Sequence, residues 1–350
     1  MQVELGLMSH PFHENPVWPD TAGIAAAARK VEELGFDGVL VPEAGGHDPF
    51  FPLLLAAHET TRVSLRTGVA VAFPRSPMVM AQIAWDLQRF SNGRFELGLG
   101  TQVKGQNERR YAAPWTASPG PRLREYILCL KAMFDTFQNG ERPHFFSGKH
   151  YQFNLMPHFF NPGPIEHPHI PIYIAAVNPY MCRLAGELCD GIFPHPICTP
   201  QYMREVMIPA IAAGARKAGR QASDVQVLVS PMIVTGRNAA EIKRKTVYLK
   251  QRLGFYASTR SYHAPLELHG FLDVGQQLFR LSMEGKWREM VDLVSDDMLD
   301  AFATVGSFDE IGPKLKARWG DIASVLHLDL PPDLREDEAA VRALLASLHC

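Results

Sequence analysis

The chain has 350 residues, 46% of them hydrophobic, enough for a large core, and its 35 basic and 37 acidic residues leave a formal net charge of -2. That balance gives no electrostatic footprint for nucleic acid and no polybasic patch for a membrane surface. No run approaches the roughly 18 apolar residues of a membrane span, and the start MQVELGLM has no cationic region ahead of an apolar one, so no signal peptide is expected.

Short apolar runs alternate with amphipathic stretches. VELGLM (from Val3) is the first strand candidate. TAGIAAAARKVEELG (from Thr21) follows as a helix, with Asp20 as cap and Gly35 as stop. DGVLVP (from Asp37) and SLRTGVAVAF (from Ser64) are the second and third strands, and MVMAQIAWDLQRFS (from Met78), after Pro77, is a helix. RFELGLG (from Arg94) is the fourth strand, framed by the Asn92-Gly93 turn signal and the glycines Gly98 and Gly100. About seventy residues then intervene, holding a helix (RLREYILCLKAMFDTF) and a hairpin (HFFSGKHYQF) that turns at Ser147-Gly148.

PIYIAA (from Pro171) is the fifth strand, followed by a helix capped by Asn178 with Pro179 at its first position. DGIFPH (from Asp190), VQVLVSPMIV (from Val225) and ASVLHLDL (from Ala323) complete eight strands. A second excursion, from about Gly254 to Thr304, includes SMEGKWREMVDLVSDDMLDAF, which reads as helical. Each strand run is continuously apolar, as parallel strands covered on both faces require. Eight strand–helix units predict an α/β (β/α)8 TIM barrel with insertions after strands four and seven, forming one domain over residues 1–350. A doubly wound open sheet is the alternative.

The five cysteines (Cys129, Cys182, Cys189, Cys198, Cys350) are odd in number and contain no C-x-x-C. They fit a reduced, cytoplasmic protein with buried thiols better than a disulfide or zinc framework.

In a barrel, residues just after a strand lie at the C-terminal mouth, where ligands bind, and those just before it lie at the opposite face. His10, Glu43, His47, Gln102, Asn178 and His195 fall at the mouth. His167 and His169 fall at the other end, so their His-x-His spacing is not read as a metal site. Arg94, at the base of strand four, reads as structural. IAAVNP leads small residues into a helix N-terminus, where free amides favour an anion such as a phosphate; equally, Ala175 and Ala176 simply fit a tight interior. Gly98-x-Gly100 alone is not a dinucleotide fingerprint.

RTGVAVAFPRSPMVMAQIAWDLQRFSNGRFELGLGTQ and IYIAAVNPYMCRLAGELCDGIF resemble strands three to six of the bacterial-luciferase-like flavin and deazaflavin oxidoreductases. HDPFFPLLLAAHETT, FYASTRSYHAPLELHG and GKWREMVDLVSDDMLDAFATVG resemble a subgroup dependent on coenzyme F420. The resemblance implies a flavin-type ring at the mouth. Gly68 and Val69 would form a strand-three bulge with a non-proline cis peptide beneath the ring. Gly100 and Thr101, with Gln102 beside them, would flank it. Ala176, Val177 and Asn178 would form the phosphate-binding turn, with Gly191 to Phe193 as its neighbour, and the phosphate is expected near Gly191 to His195.

Family members commonly carry an acidic residue and then a proton-handling histidine after strand two; here the pair is Glu43-Ala44. His47 or His10 is the expected substitute, with Glu43 lining the site, although either histidine also reads as an ordinary loop residue. The expected function is hydride transfer between F420 and a small organic substrate. The alternatives are an FMN-dependent monooxygenase and a flavin-binding protein with little catalysis; a metal-dependent hydrolase is more distant, since few carboxylates and histidines gather at the strand ends. Arg75, Lys104, Arg109 and Arg110 are candidate rim cations for an acidic coenzyme tail. Phe50, Phe51, Trp115, Phe255 and Tyr256 read either as an apolar pocket or as core. A homodimer is expected, as is common in the family.

Overall fold

The computed structural model describes residues 1–7, 19–43, 46–140 and 142–349. Eight parallel strands form its centre: β1 (Gln2–Gly6), β2 (Gly38–Val41), β3 (Ser64–Thr67, resuming at Ala70–Val71), β4 (Phe95–Gly100), β5 (Ile172–Ala176), β6 (Gly191–Pro194), β7 (Gln226–Val229) and β8 (Val325–Leu328). Each pairs with the next, and β8 pairs with β1 in the register Gln2↔Val325 to Leu5↔Leu328. The sheet therefore closes into a TIM barrel rather than an open doubly wound sheet. Burial on both faces accounts for the unbroken apolar runs. Among the described residues no helix is long and apolar enough to cross a membrane.

Local signals set the helix limits. Asp20 caps the helix Thr21–Leu34 by accepting from the Gly23 amide, and Gly35 ends it at φ 97°. Ser76 caps Pro77–Phe90, and the Asn178 side chain caps Pro179–Leu188 through the Met181 amide. The hairpin after β4 forms between Phe146–Ser147 and Gln152–Phe153.

Two stretches differ from expectation. VQVLVSPMIV is not one strand: Pro231 lacks an amide donor, β7 stops at Val229, and Met232–Gly236 pairs instead with Ala303–Ser307 as a separate parallel ribbon. SMEGKWREMVDLVSDDMLDAF is not one helix. A helix ends at Met283, Gly285 follows at φ 72°, and a new helix begins at Asp296 with Ser295 as its cap.

Arg94 is the staple at the base of β4. Its guanidinium donates to Ser91 O, Val63 O, Ala57 O, Thr60 O and Thr60 Oγ1 at 2.8–3.0 Å, tying the loops before β3 and β4 together. His169, at the same end, pairs with Asp190 at 3.2 Å, and this contact raises its pKa. Cys129, Cys182, Cys189 and Cys198 are free and buried.

Candidate functional site at the barrel mouth

Side chains in a strand alternate between its two faces. Leu40, Tyr173, Phe193, Leu228 and Val325, from five strands, form one buried cluster with Val69 and Ala175 packed on it. These residues mark the barrel interior. The upper interior positions are then Val69, Gly100, Ala175 and His195, and the lower ones include Glu4, Arg66, Glu96 and Tyr173.

Strand β3 is interrupted at Gly68-Val69, whose peptide bond is cis. The interruption is stitched rather than loose. Thr67 Oγ1 donates to Gly98 O at 2.8 Å and accepts from Gly98 N at 2.9 Å, Gly68 N donates to Val41 O at 2.9 Å, and Ala72 N donates to Gly100 O at 2.9 Å. The bulge explains the glycines of β4. A Cβ on Gly98 would lie 1.9 Å from the Thr67 carbonyl oxygen, and one on Gly100 would lie 2.5 Å from Val69 Cγ2. The nearest reason for both glycines is thus the neighbouring strand. Beyond Gly100, Thr101 is half-buried and its carbonyl accepts from Asn107 Nδ2 at 2.9 Å; Gln102 is exposed at φ 55°.

Glu43 is buried at the end of β2 and bound to the bulge. Its amide donates to Val69 O at 3.3 Å, and its Oε2 accepts from Val71 N and from Arg75 Nη1, both at 2.7 Å. Arg75 also donates to Asp48 Oδ2 at 2.7 Å. Arg75 is therefore an internal partner rather than a rim cation, and the two carboxylates raise its pKa against the opposing effect of burial. Tyr111, from the loop after β4, lies near Glu43; burial and the Glu43 charge raise the pKa of its hydroxyl. No pattern in the chain singles out Tyr111 in advance. His47 is exposed on the same loop as Glu43. His10 and Ala44 lie outside the described residues. Lys104, Arg109 and Arg110 are exposed around the short helix Lys104–Arg109, with Lys104 3.9 Å from Glu108.

On the opposite side of the mouth, Ala176 and Val177 are buried and Asn178 is exposed at the start of its helix. Ala176 O accepts from His195 N at 3.1 Å, and Val177 O accepts from Tyr202 Oη at 3.1 Å. Their carbonyls are thus engaged, and the first-turn amides are the groups suited to an anion. Gly191 sits against the Tyr173 ring, which a Cβ would meet at 2.1 Å; packing accounts for this glycine.

The second excursion covers His195. Its ring stacks on Tyr262 (centroids 4.1 Å) and meets Tyr256 edge-on (4.6 Å), and its Nδ1 accepts from Ile197 N at 3.3 Å. Burial, with the Arg252 charge nearby, pushes its pKa down to about 3. His195 is therefore neutral, with its proton on Nε2. Arg252 bonds Asp329 Oδ2 at 3.1 Å and Tyr256 Oη at 3.2 Å. Tyr256 thus belongs to the mouth, whereas Phe50 is core, packed on Phe95, and Phe51 is 71% exposed.

The sequence reading also missed the charges inside the barrel. Arg66 ion-pairs with Glu4 and Glu96 and lies 4.5 Å above the Tyr173 ring. The available signal was a lone ionisable residue within each of several apolar strand runs.

The sequence model described as luciferase-like monooxygenase matches residues 4–322. An uncharacterized protein of Mycobacterium tuberculosis is 41% identical over 297 residues, covering 85% of this chain and 86% of that protein. The 5,10-methylenetetrahydromethanopterin reductase of Methanolobus tindarius is 28% identical over 308 residues, covering 86% and 87%. In structure, the coenzyme F420 dependent tetrahydromethanopterin reductase of Methanopyrus kandleri matches with a TM-score of 0.76 at 21% identity, covering 98% of this chain and 96% of that one.

Proposed function

The chain belongs to the luciferase-like monooxygenase family, and from that premise we propose that it is an oxidoreductase moving a hydride between coenzyme F420 and a small organic substrate at the barrel mouth. The observation that carries this reading is the Gly68-Val69 bulge set against Gly100, with Val69 and Ala175 standing nearest to it. Modest side chains on three adjacent strand ends leave a surface suited to one face of a flat ring. Gly68, Val69, Gly100, Thr101 and Gln102 line that surface in this reading. Ala176, Val177 and Asn178 offer helix-start amides to a phosphate, and Gly191 and His195 border them.

Bound there, F420 would accept or deliver a hydride, that is, two electrons and one proton's worth of hydrogen. The chain's own contribution is positioning, exclusion of water and proton handling. Glu43 holds the bulge and Arg75 in place. His47 or His10 exchanges the proton, as the residue type suits neutral pH. Neutral His195 offers an Nε2 donor to an oxygen of coenzyme or substrate. We also propose a homodimer; the exposed Phe51, Leu155, Phe159 and Phe160 support a contact surface, and a monomer by light scattering would overturn it.

The deciding experiment titrates the protein with F420 and with FMN, then measures single-turnover hydride transfer in His47→Ala, His10→Ala and Glu43→Gln. F420 binding and a rate loss of about 100-fold or more in one histidine variant are expected. Binding of FMN alone, with oxygen consumption, would replace this reading by the monooxygenase one. Binding without turnover would replace it by a flavin-binding protein.

A further inference from the structure

Glu4 on β1 and His327 on β8 are register partners in adjacent parallel strands. Both face the barrel interior. Arg66, itself packed on interior Tyr173, holds Glu4 inside, and His327 follows interior Val325 by two residues. Glu4 is 1% exposed and His327 8%. Each keeps one buried polar atom with no hydrogen-bond partner, Glu4 Oε2 and His327 Nδ1. A single orphan is costly, and two on neighbouring strands about 4.8 Å apart point to a shared occupant.

Charge points the same way. Glu4 and Glu96 both pair with the single guanidinium of Arg66, so the cluster carries one surplus negative charge. Ser64 Oγ donates to Glu4 Oε1 at 3.2 Å and adds no charge. A proton on Glu4 makes that Glu4–Arg66–Glu96 group neutral. We propose that Glu4 and His327 share that proton across one buried water, forming a proton store in the floor of the barrel beneath the mouth.

The groups facing each member agree on where the proton rests. Around Glu4 are Arg66, Glu96, Ser64 and Tyr173; burial outweighs Arg66 and pushes the carboxyl up to about 7. Around His327 are Asp329, Arg335, Arg252 and Arg66; burial pushes the imidazole down to about 4. The resting pair is a carboxylic acid that donates to water, with neutral Nδ1 accepting from the same water. When negative charge develops at the mouth, the Glu4 O–H bond breaks, its proton joins the water, and a water proton passes to His327 Nδ1. The products are a carboxylate beside Arg66 and an imidazolium on the strand that leads to Asp329. Charge and atoms balance within the pair.

The pair stands without any ligand; only its service to a coenzyme rests on the proposed function. Infrared difference spectra of the full chain, without coenzyme, across neutral pH test the pair. A protonated-carboxyl band should vanish as pH rises through about 7, be absent in Glu4→Gln, and shift in frequency in His327→Gln. Nitrogen NMR of the wild-type imidazole should show Nδ1 as an acceptor, which also guards against a misfolded variant. A spectrum that Glu4→Gln leaves unchanged, or a band indifferent to His327→Gln in a folded protein, overturns the pair. Adding reduced F420 then separates the two proposals. A shifted band supports the store, and bound coenzyme with an unmoved band overturns the store alone. Absence of binding overturns the coenzyme reading and leaves the pair standing.

Discussion

Glu43 uses its carboxylate to hold Arg75 and the Val71 amide, both at 2.7 Å, in a buried place. Removing one partner of such a pair leaves the other charge uncompensated. Asp48 remains on Arg75, so Glu43→Ala should lower stability by about 2–3 kcal/mol, less than for a fully isolated charge. Urea denaturation measures this, and a change below about 0.5 kcal/mol would show that the pair does not hold the bulge. Glu4 makes a prediction of opposite character. Its folded pKa of about 7 stands above the ordinary 4.5. A raised pKa means that the folded state binds the proton more tightly than the unfolded state does. The associated stability is fully present below pH 4.5 and is lost as pH rises through 7. The loss is on the order of 3 kcal/mol for a shift of this size. Glu4→Gln cannot ionise, so its stability, measured over the same range, should lack that fall. Equal slopes in both proteins would place the Glu4 carboxylate in its ionised form throughout.

At the level of strands and helices, the two interior glycines of β4 separate fold from site. Gly98→Ala drives a Cβ to within 1.9 Å of the Thr67 backbone oxygen, which cannot rotate away. That variant should be severely destabilised or insoluble. Gly100→Ala crowds Val69 Cγ2 with its Cβ, at 2.5 Å, and a side chain can move. It should fold with circular dichroism unchanged yet bind coenzyme at least tenfold more weakly, as the ring surface is displaced. Tight binding by Gly100→Ala would argue that the ring lies elsewhere.

The strands themselves were legible because burial on both faces leaves a continuous apolar run, and the caps Asp20, Ser76 and Asn178 act within three residues of their targets. Where reading failed, the cause was a local breaker inside a stretch that otherwise reads as one element, Pro231 after β7 and Gly285 after Met283. The bulge was visible only through resemblance. Its effect on Gly98 and Gly100 is a contact between strands, which no single run displays.

On the scale of the whole barrel, closure decides which distant residues meet. Arg66 lies 62 positions from Glu4 and 30 from Glu96, and only the register of β1, β3 and β4 brings them together. Eight strands in order therefore revealed the architecture and the mouth, but not the charged floor. For the same reason Tyr111 with Glu43, His195 with Tyr262, and Arg252 with Asp329 emerge only from the folded chain: each pair joins segments that follow different strands.

The mouth is assembled from segments after β2, β3, β4, β5, β6, β7 and β8, so a ligand seated there contacts segments far apart in sequence and should stabilise the fold as a unit. For a ligand that binds only the folded state, the gain is about 2.7 kcal/mol at a free concentration 100 times its dissociation constant. Calorimetric unfolding with increasing F420 should show that concentration-dependent rise, and FMN at equal concentration should give a smaller one. Asn178→Ala makes the result specific to the predicted pose. It removes the cap that accepts from Met181 N, costing about 1 kcal/mol without ligand, and loosens the amides offered to the phosphate. The coenzyme-dependent rise should then shrink beyond that constant offset. If the rise in Asn178→Ala runs parallel to wild type at every coenzyme concentration, the phosphate is held by another loop.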